Sequence, residues 1–389
     1  MRGILVSRPK AAVVSLLAAL LLIASLGVAV VFRPSAAPQL AVPTSAGLNY
    51  GMPHTDRGEW VGTQWLRPAY WDATRPALAA DLDFIQRNSL GRVLRVFIGL
   101  DQLMVWNSQA GFDGFDEASV DHFNAALSMF DARGIKIIAV LYDQEEVASA
   151  GNFHFAALDG SHEIMRRGYL RATDEFLRRF GARSTVIGWD LFNEAYNSLG
   201  RDGQLPLPPH ADPVSPNYTD QQVHAWLADL YQTARRAAPA ARFTVSDSTE
   251  LYWNPDPDLR KYDDVVDFYD IHVYDDRPQY PDWKSRLRKP YIVGEAGAST
   301  VDHHYEDQAL NSKAVGYLLQ HAQPAGVSAV LVQGQAFSAN RTGLTPTGTA
   351  LANFLAVGSK GPGVGWDPGG ELGTAVVSTG RRLKHALGF

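Results

Sequence analysis

Two glutamates close apolar, β-branched runs in this 389-residue chain: Glu194 ends VIGWDLFNE (186–194) and Glu295 ends PYIVGE (290–295). They lie 101 residues apart, which is three repeating strand-helix units of about 34 residues each. The chemistry open to such a pair is displacement at an acetal carbon, the breaking of a glycosidic bond. One carboxyl, protonated, assists the departing oxygen, and the other, ionised, attacks the anomeric carbon; a retaining double displacement asks for about 5–5.5 Å between them. Two further polar residues, His272 and Tyr274, stand two apart in FYDIHVY (268–274). Side chains alternate along a strand, so these two share a face. That places Tyr274 to hydrogen-bond the nucleophile and His272 to support the acid/base. Arg95 interrupts the apolar run RVLRVFIG (92–99). A buried, unpaired cation is costly, so Arg95 is expected to meet a carboxylate; Glu295 is the expected partner, because a nearby cation favours its ionised form.

These residues can act together only if one scaffold brings their strand ends to one mouth. Eight short apolar runs read as strands: 48–51, 92–99, 136–142, 186–192, 242–247, 268–274, 290–295 and 328–333. Between them lie amphipathic stretches of helical period, one marked by Val120, Phe123, Leu127 and Phe130, others near 75–88, 163–180, 220–237, 306–321 and 347–356. Alternating strands and helices predict parallel βα units. Eight of them over residues 47–356 predict an α/β fold, a single closed (β/α)8 TIM barrel, with its reactive groups at the C-terminal ends of the strands. No GxGxxG follows the first strand, so a dinucleotide-binding sheet has little support. Residues 357–389, Gly-rich at their start, read as an appendage to the barrel.

Ahead of the barrel, residues 11–32 are a run of 22 without a charge, long enough as a helix to cross roughly 30 Å of hydrocarbon. Arg2, Arg8 and Lys10 lie in the basic stretch 1–10 before it, which predicts a cytoplasmic N-terminus and an exported remainder. The run exceeds the roughly 7–15 residues of a cleaved signal core, so a transmembrane anchor is expected, with secretion the alternative if it is cleaved. Residues 33–46 read as a flexible, proline-punctuated tether. The formal net charge of −6 leaves no basic footprint for nucleic acid. The absence of cysteine excludes disulfides, thiolate nucleophiles and thiolate metal sites. A two-carboxylate mechanism asks for no cofactor and no metal, and Asp302-His303-His304 is not read as a metal site, because adjacent side chains point apart.

Asn193-Glu194 after the fourth strand, His272-x-Tyr274 at the sixth and Glu295 after YIVG at the seventh resemble clan A glycoside hydrolases, closest to the cellulase-type family five, over residues 47–356. The resemblance implies a carbohydrate substrate, a β-linked polysaccharide or oligosaccharide. It implies Glu194 as acid/base, Glu295 as nucleophile, Asn193 on the sugar 2-hydroxyl, and Arg95, His272 and Tyr274 in support. Two places depart from the family pattern. Where the family has a histidine after the third strand, this chain has Leu141-Tyr142-Asp143, so Tyr142 takes that place, and Asp143 is expected either to touch substrate or to cap a helix. Where a tryptophan platform ends the eighth strand, this chain reads VLVQGQAF, with Gln333 and Gln335. Aromatic residues in loops after strands, Trp106 and Trp253 and also Trp65, Tyr70 and Trp71, are expected either to stack on sugar or to fill core space. Two other readings stay open on sequence: a transglycosylase of envelope polysaccharide assembly, and a barrel that binds carbohydrate without turning it over.

Overall fold

The computed structural model describes residues 45–54, 61–107, 111–143, 163–195, 219–248, 259–299 and 301–358. The apolar run 11–32, most of the tether, Trp253 and residues 359–389 lie outside the described residues. Among the described residues no helix is long and apolar enough to cross a membrane.

The strands are β1 (Ser45–Gly51), β2 (Val93–Phe97), β3 (Met104–Asn107), β4 (Gly111–Phe115), β5 (Lys136–Val140), β6 (Val186–Asp190), β7 (Phe243–Thr244), β8 (Ser246–Ser248), β9 (Tyr269–Tyr274), β10 (Tyr291–Gly297) and β11 (Ala329–Val332). Nine of them form one sheet in the order β7-β6-β5-β2-β1-β11-β10-β9-β8, and every neighbouring pair is parallel. Only Val245 separates β7 from β8, so the two are halves of one strand position. One half bonds β6 and the other bonds β9. The sheet therefore closes on itself with eight strand positions, each overlapping one of the eight apolar runs. Long helices at Pro68–Arg87, Glu117–Asp131, Glu163–Phe180, Asp220–Ala237, Gln308–Ala325 and Pro346–Gly358 occupy the intervals where helical period is seen. Their ends obey local chemistry. Thr219 and Gln222 make a reciprocal capping box before the helix Asp220–Ala237, and Gly326, at φ 81°, ends Gln308–Ala325 in the left-handed region open to glycine.

Six buried residues, Val93, Ile138, Phe268, Ile292, Ala329 and Leu331, pack with Ile187 in a cluster separate from the main core. They come from strands all round the sheet, and this is the apolar plug inside the barrel. Two residues further along the same inward rows stand Arg95, Asp270, Gly294 and Gln333, so the interior turns polar one layer above the plug. Gly294 belongs to that change. A Cβ there would lie 2.0 Å from Asp270 Oδ1, so glycine makes room for a buried carboxylate. Gly294→Ala is expected to lower stability by about 1–3 kcal/mol, the usual cost of overpacking a tight core, read as a lower thermal midpoint. An unchanged midpoint would contradict the packing described.

A hairpin of the structure has no counterpart in the sequence reading. β3 and β4 pair antiparallel as a hairpin between β2 and the helix Glu117–Asp131. MVWN and GFDGF are too short and glycine-punctuated to show a strand period.

Candidate active site

Arg95 is fully buried, its guanidinium lying directly above the plug. Nη1 donates to Glu295 Oε1 at 2.5 Å and to Asn49 Oδ1 at 3.4 Å. Nη2 donates to Asp190 Oδ2 at 2.6 Å, Asn193 Oδ1 at 2.6 Å and Ser246 Oγ at 3.1 Å. Nε lies 3.5 Å from Asp270 Oδ2. One cation thus faces three buried carboxylates, two more than the sequence reading assigned to it. A guanidinium taken out of water is tolerable when its fork is filled by charged acceptors in this way.

Glu295, on β10, is buried. Besides Arg95, it accepts a hydrogen bond from the Tyr274 hydroxyl at Oε2, and His272 Nδ1 is 3.6 Å from the same oxygen. Glu194 follows β6 with its side chain 22% exposed, more open to solvent than that of Glu295 at 9%. Its backbone φ is 44°, a left-handed conformation that a glutamate rarely adopts, and its N–H donates to Ser246 Oγ at 3.2 Å. That turn aims the carboxyl at His272, whose Nδ1 is 2.6 Å from Oε1. A carboxyl oxygen of Glu194, one of Glu295 and a ring nitrogen of His272 all lie within 4.8 Å of one another. The two carboxyls therefore share one mouth, at a separation on the retaining side of the two hydrolytic geometries, since inversion needs roughly 6.5–9.5 Å.

Their environments push the two acids apart. Burial raises the pKa of Glu194, and the hydrogen bond and charge of His272 do not fully offset it. Burial also works to raise Glu295, but the charges of His272 and Arg95 and the hydrogen bonds from Tyr274 and Arg95 outweigh it, and the carboxyl is held below its ordinary value. A pair so separated can hold one proton donor and one anion at the same pH. Burial tends to discharge His272, yet the charge of Glu295 and the hydrogen bond to Glu194 push it up to about 9, so it is a cation at neutral pH. Burial and the two carboxylate charges push the Tyr274 phenol well up, and it stays a donor. Three donor atoms this close have the spacing of a metal site, and an ion there would have to displace the proton that His272 shares with Glu194. His272→Gln removes a cation that favours the ionised form of both carboxyls. Both limbs of the pH profile of kcat/KM, which belong to the coupled pair, are expected to move to higher pH. Limbs left at the wild-type positions would contradict the charge assigned to His272.

Asn193 is buried, and both ends of its amide are held. Oδ1 accepts from Arg95 and from the Ser246 hydroxyl at 3.3 Å, and Nδ2 donates to Asp143 Oδ1 at 3.3 Å. Asp143 is buried as well and helps to orient Asn193 through that hydrogen bond. Tyr142 requires a correction. Its side chain is fully buried and its hydroxyl meets Thr173 Oγ1 at 3.0 Å and the carbonyl of Tyr169 at 3.3 Å, so it points into the helix Glu163–Phe180 and not at the glutamates. Trp106, half-buried on β3, packs on the same helix, its ring 6.2 Å from Tyr169 and over Gly168, where a Cβ would lie 2.7 Å from it. Trp65 and Trp71 are core residues: Trp65 donates Nε1–H to the Phe97 carbonyl at 2.9 Å, and Trp71 stacks on His122. Four site residues escaped the sequence reading: Asn49, Asp190, Ser246 and Asp270. The signal was the one used for Arg95, a polar residue within an apolar strand whose burial demands a partner.

No family model matches the chain, and no curated protein matches it. Solved structures do. The β-mannanase of the blue mussel Mytilus edulis aligns with a TM-score of 0.60 at 14% identity, over 81% of this chain and 92% of that one. A GH5_18 protein from Streptomyces cattleya, solved in complex with Manβ1-4GlcNAc, aligns with a TM-score of 0.60 at 16% identity over 82% of each chain. The endo-β-1,4-mannanase of Thermotoga petrophila aligns with a TM-score of 0.52 at 14% identity over 74% of each chain. At these identities the likeness shows the fold, which is the barrel that the resemblance to clan A implies.

Proposed function

We propose that this chain is a retaining glycoside hydrolase that cleaves a β-linked polysaccharide or oligosaccharide by double displacement, with Glu295 as nucleophile and Glu194 as acid/base. The observation that carries the reading is the pair of carboxyls within 4.8 Å whose surroundings drive their pKa values in opposite directions. Glu295, ionised, attacks the anomeric carbon while Glu194 gives its proton to the departing oxygen, leaving a glycosyl ester on Glu295. Arg95 and Tyr274 fix the attacking carboxylate from two sides. The ester abolishes the negative charge that helps to raise Glu194, so Glu194 becomes the stronger acid and stands ready, deprotonated, to take the proton of the attacking water. The proteins that share the fold include β-mannanases, which makes β-mannan oligosaccharides the first substrates to try. Hydrolysis followed by proton NMR from the first turnovers should show the β-anomer before mutarotation. If the α-anomer appears first, the mechanism is inverting and the reading is wrong.

Residues 1–32 support a location outside the cytoplasm, anchored through 11–32 or secreted if that run is cleaved. Alkaline carbonate extraction should leave the anchored full chain in the membrane pellet, whereas its release into the supernatant would remove the anchor.

A further inference from the structure

Gln333 follows β11 on the inward row of Ala329 and Leu331, so its half-buried side chain stands in the barrel mouth. Its backbone is pinned beside the proposed nucleophile: its N–H donates to the carbonyl of Ala296 at 2.9 Å, and its own carbonyl accepts from Asn311 Nδ2 at 3.0 Å. Its side-chain amide is oriented too. Oε1 accepts from Asn49 Nδ2 at 2.6 Å, and Asn49 Oδ1 accepts from Arg95 Nη1 at 3.4 Å. Arg95 can only donate, so Asn49 must present its oxygen to Arg95 and its nitrogen to Gln333. Gln333 is left with its oxygen engaged. Its Nε2 has no partner among the described residues, although two N–H bonds are available there at the mouth that holds Glu194 and Glu295.

We infer that Gln333 is a specificity-determining residue, whose Nε2 donates a hydrogen bond to a hydroxyl oxygen of the glycosyl unit held over Glu295. The inference rests on Glu295 being the nucleophile, since that places a sugar in this mouth. The amide cannot turn over to offer an acceptor without breaking the Asn49 link, so the site selects a sugar with an oxygen at that position. A sugar lacking the oxygen leaves a half-buried donor unpaired.

The test uses the full chain with 2,4-dinitrophenyl β-mannoside and β-glucoside and their 2-, 3-, 4- and 6-deoxy congeners. The variants are Gln333→Met, which removes both amide functions, and Gln333→Glu, which keeps an acceptor for Asn49 but has no N–H. Each is expected to lower kcat/KM on the parent glycoside by roughly 3–10-fold, the worth of one neutral hydrogen bond. Each should show the same loss on every congener but one, the sugar already missing the accepting hydroxyl, where the variant and the wild type should be equal. An equal loss on every congener would mean that Gln333 acts through Asn49 and not on sugar, and no loss at all would remove it from the site; either overturns the inference while leaving the hydrolase intact. A wild-type enzyme that turns over neither parent and forms no glycosyl adduct would instead overturn the nucleophile assignment, and the inference with it.

Discussion

Glu295→Gln is expected to lower kcat by roughly four orders of magnitude or more, which is about 5 kcal/mol added to the barrier. The amide has nearly the size of the carboxylate but cannot attack an anomeric carbon, and it places an NH2 group where one of two donors, Arg95 and Tyr274, needs an acceptor. Substrate binding should change far less than turnover, because the lost interaction is made in the transition state. Glu295→Ala leaves room for a small external nucleophile. Azide added to that variant should restore cleavage of an activated aryl β-glycoside and give the α-glycosyl azide, formed by one displacement in place of two. In Glu194→Ala, azide should enter at the second step and give the β-glycosyl azide. Near wild-type turnover by Glu295→Gln, or the same azide anomer from both alanine variants, would contradict the division of roles.

Arg95→Met carries the second large effect, on stability as well as activity. Asp190, Asp270 and Glu295 all face this one guanidinium, and all three are buried, the side chains of Asp190 and Asp270 completely. Removing it strands their charge inside the barrel, and losing one side of a buried ion pair costs about 3–5 kcal/mol. For a domain of this size that is a fall of roughly 6–15 °C in thermal midpoint. The carboxylates can relieve the repulsion by binding protons. Asp270, already pushed up to about 6 by burial, is placed to do so first. Glu295 loses one of the two cations that hold it ionised, so the acidic limb of kcat/KM should move up in pH. A midpoint within a degree or two of wild type would mean that Arg95 is not the charge centre of the barrel.

Sequence reading reached the barrel because its signal is repeated eight times and each repeat is an apolar run bounded by a change of period. The first strand shows where that signal fades. β1 starts at Ser45, inside the stretch read as tether, because Ser-Ala-Gly shows no apolar run. Those residues are small for a reason: a Cβ on Gly47 would lie 1.9 Å from the Val93 carbonyl oxygen. Crowding between neighbouring strands selects against the bulky side chains by which strands are recognised. The hairpin β3–β4 was hidden because four or five residues carry too few alternations to count.

At the site, the desolvation cost of Arg95 pointed to Glu295 from 200 residues away in the chain. Period two put His272 and Tyr274 on one face, and each is in contact with a glutamate. The same cost argument, applied to Asp190 and Asp270, would have found the rest of the charge network. Tyr142 failed for a different reason. A strand-end position does not say which way a long side chain turns, and this one found its acceptors on the helix Glu163–Phe180.

Double displacement requires a covalent bond between the sugar and one particular carboxylate, proposed above to be Glu295. Incubation with 2-deoxy-2-fluoro-β-mannosyl fluoride, whose glycosyl ester hydrolyses slowly, followed by proteolysis and mass spectrometry of the peptides, tests it directly. One added fluoro-sugar per chain is expected, carried at Glu295. An adduct at Glu194 or elsewhere, or steady hydrolysis of unfluorinated substrate with no trapped species, would contradict it.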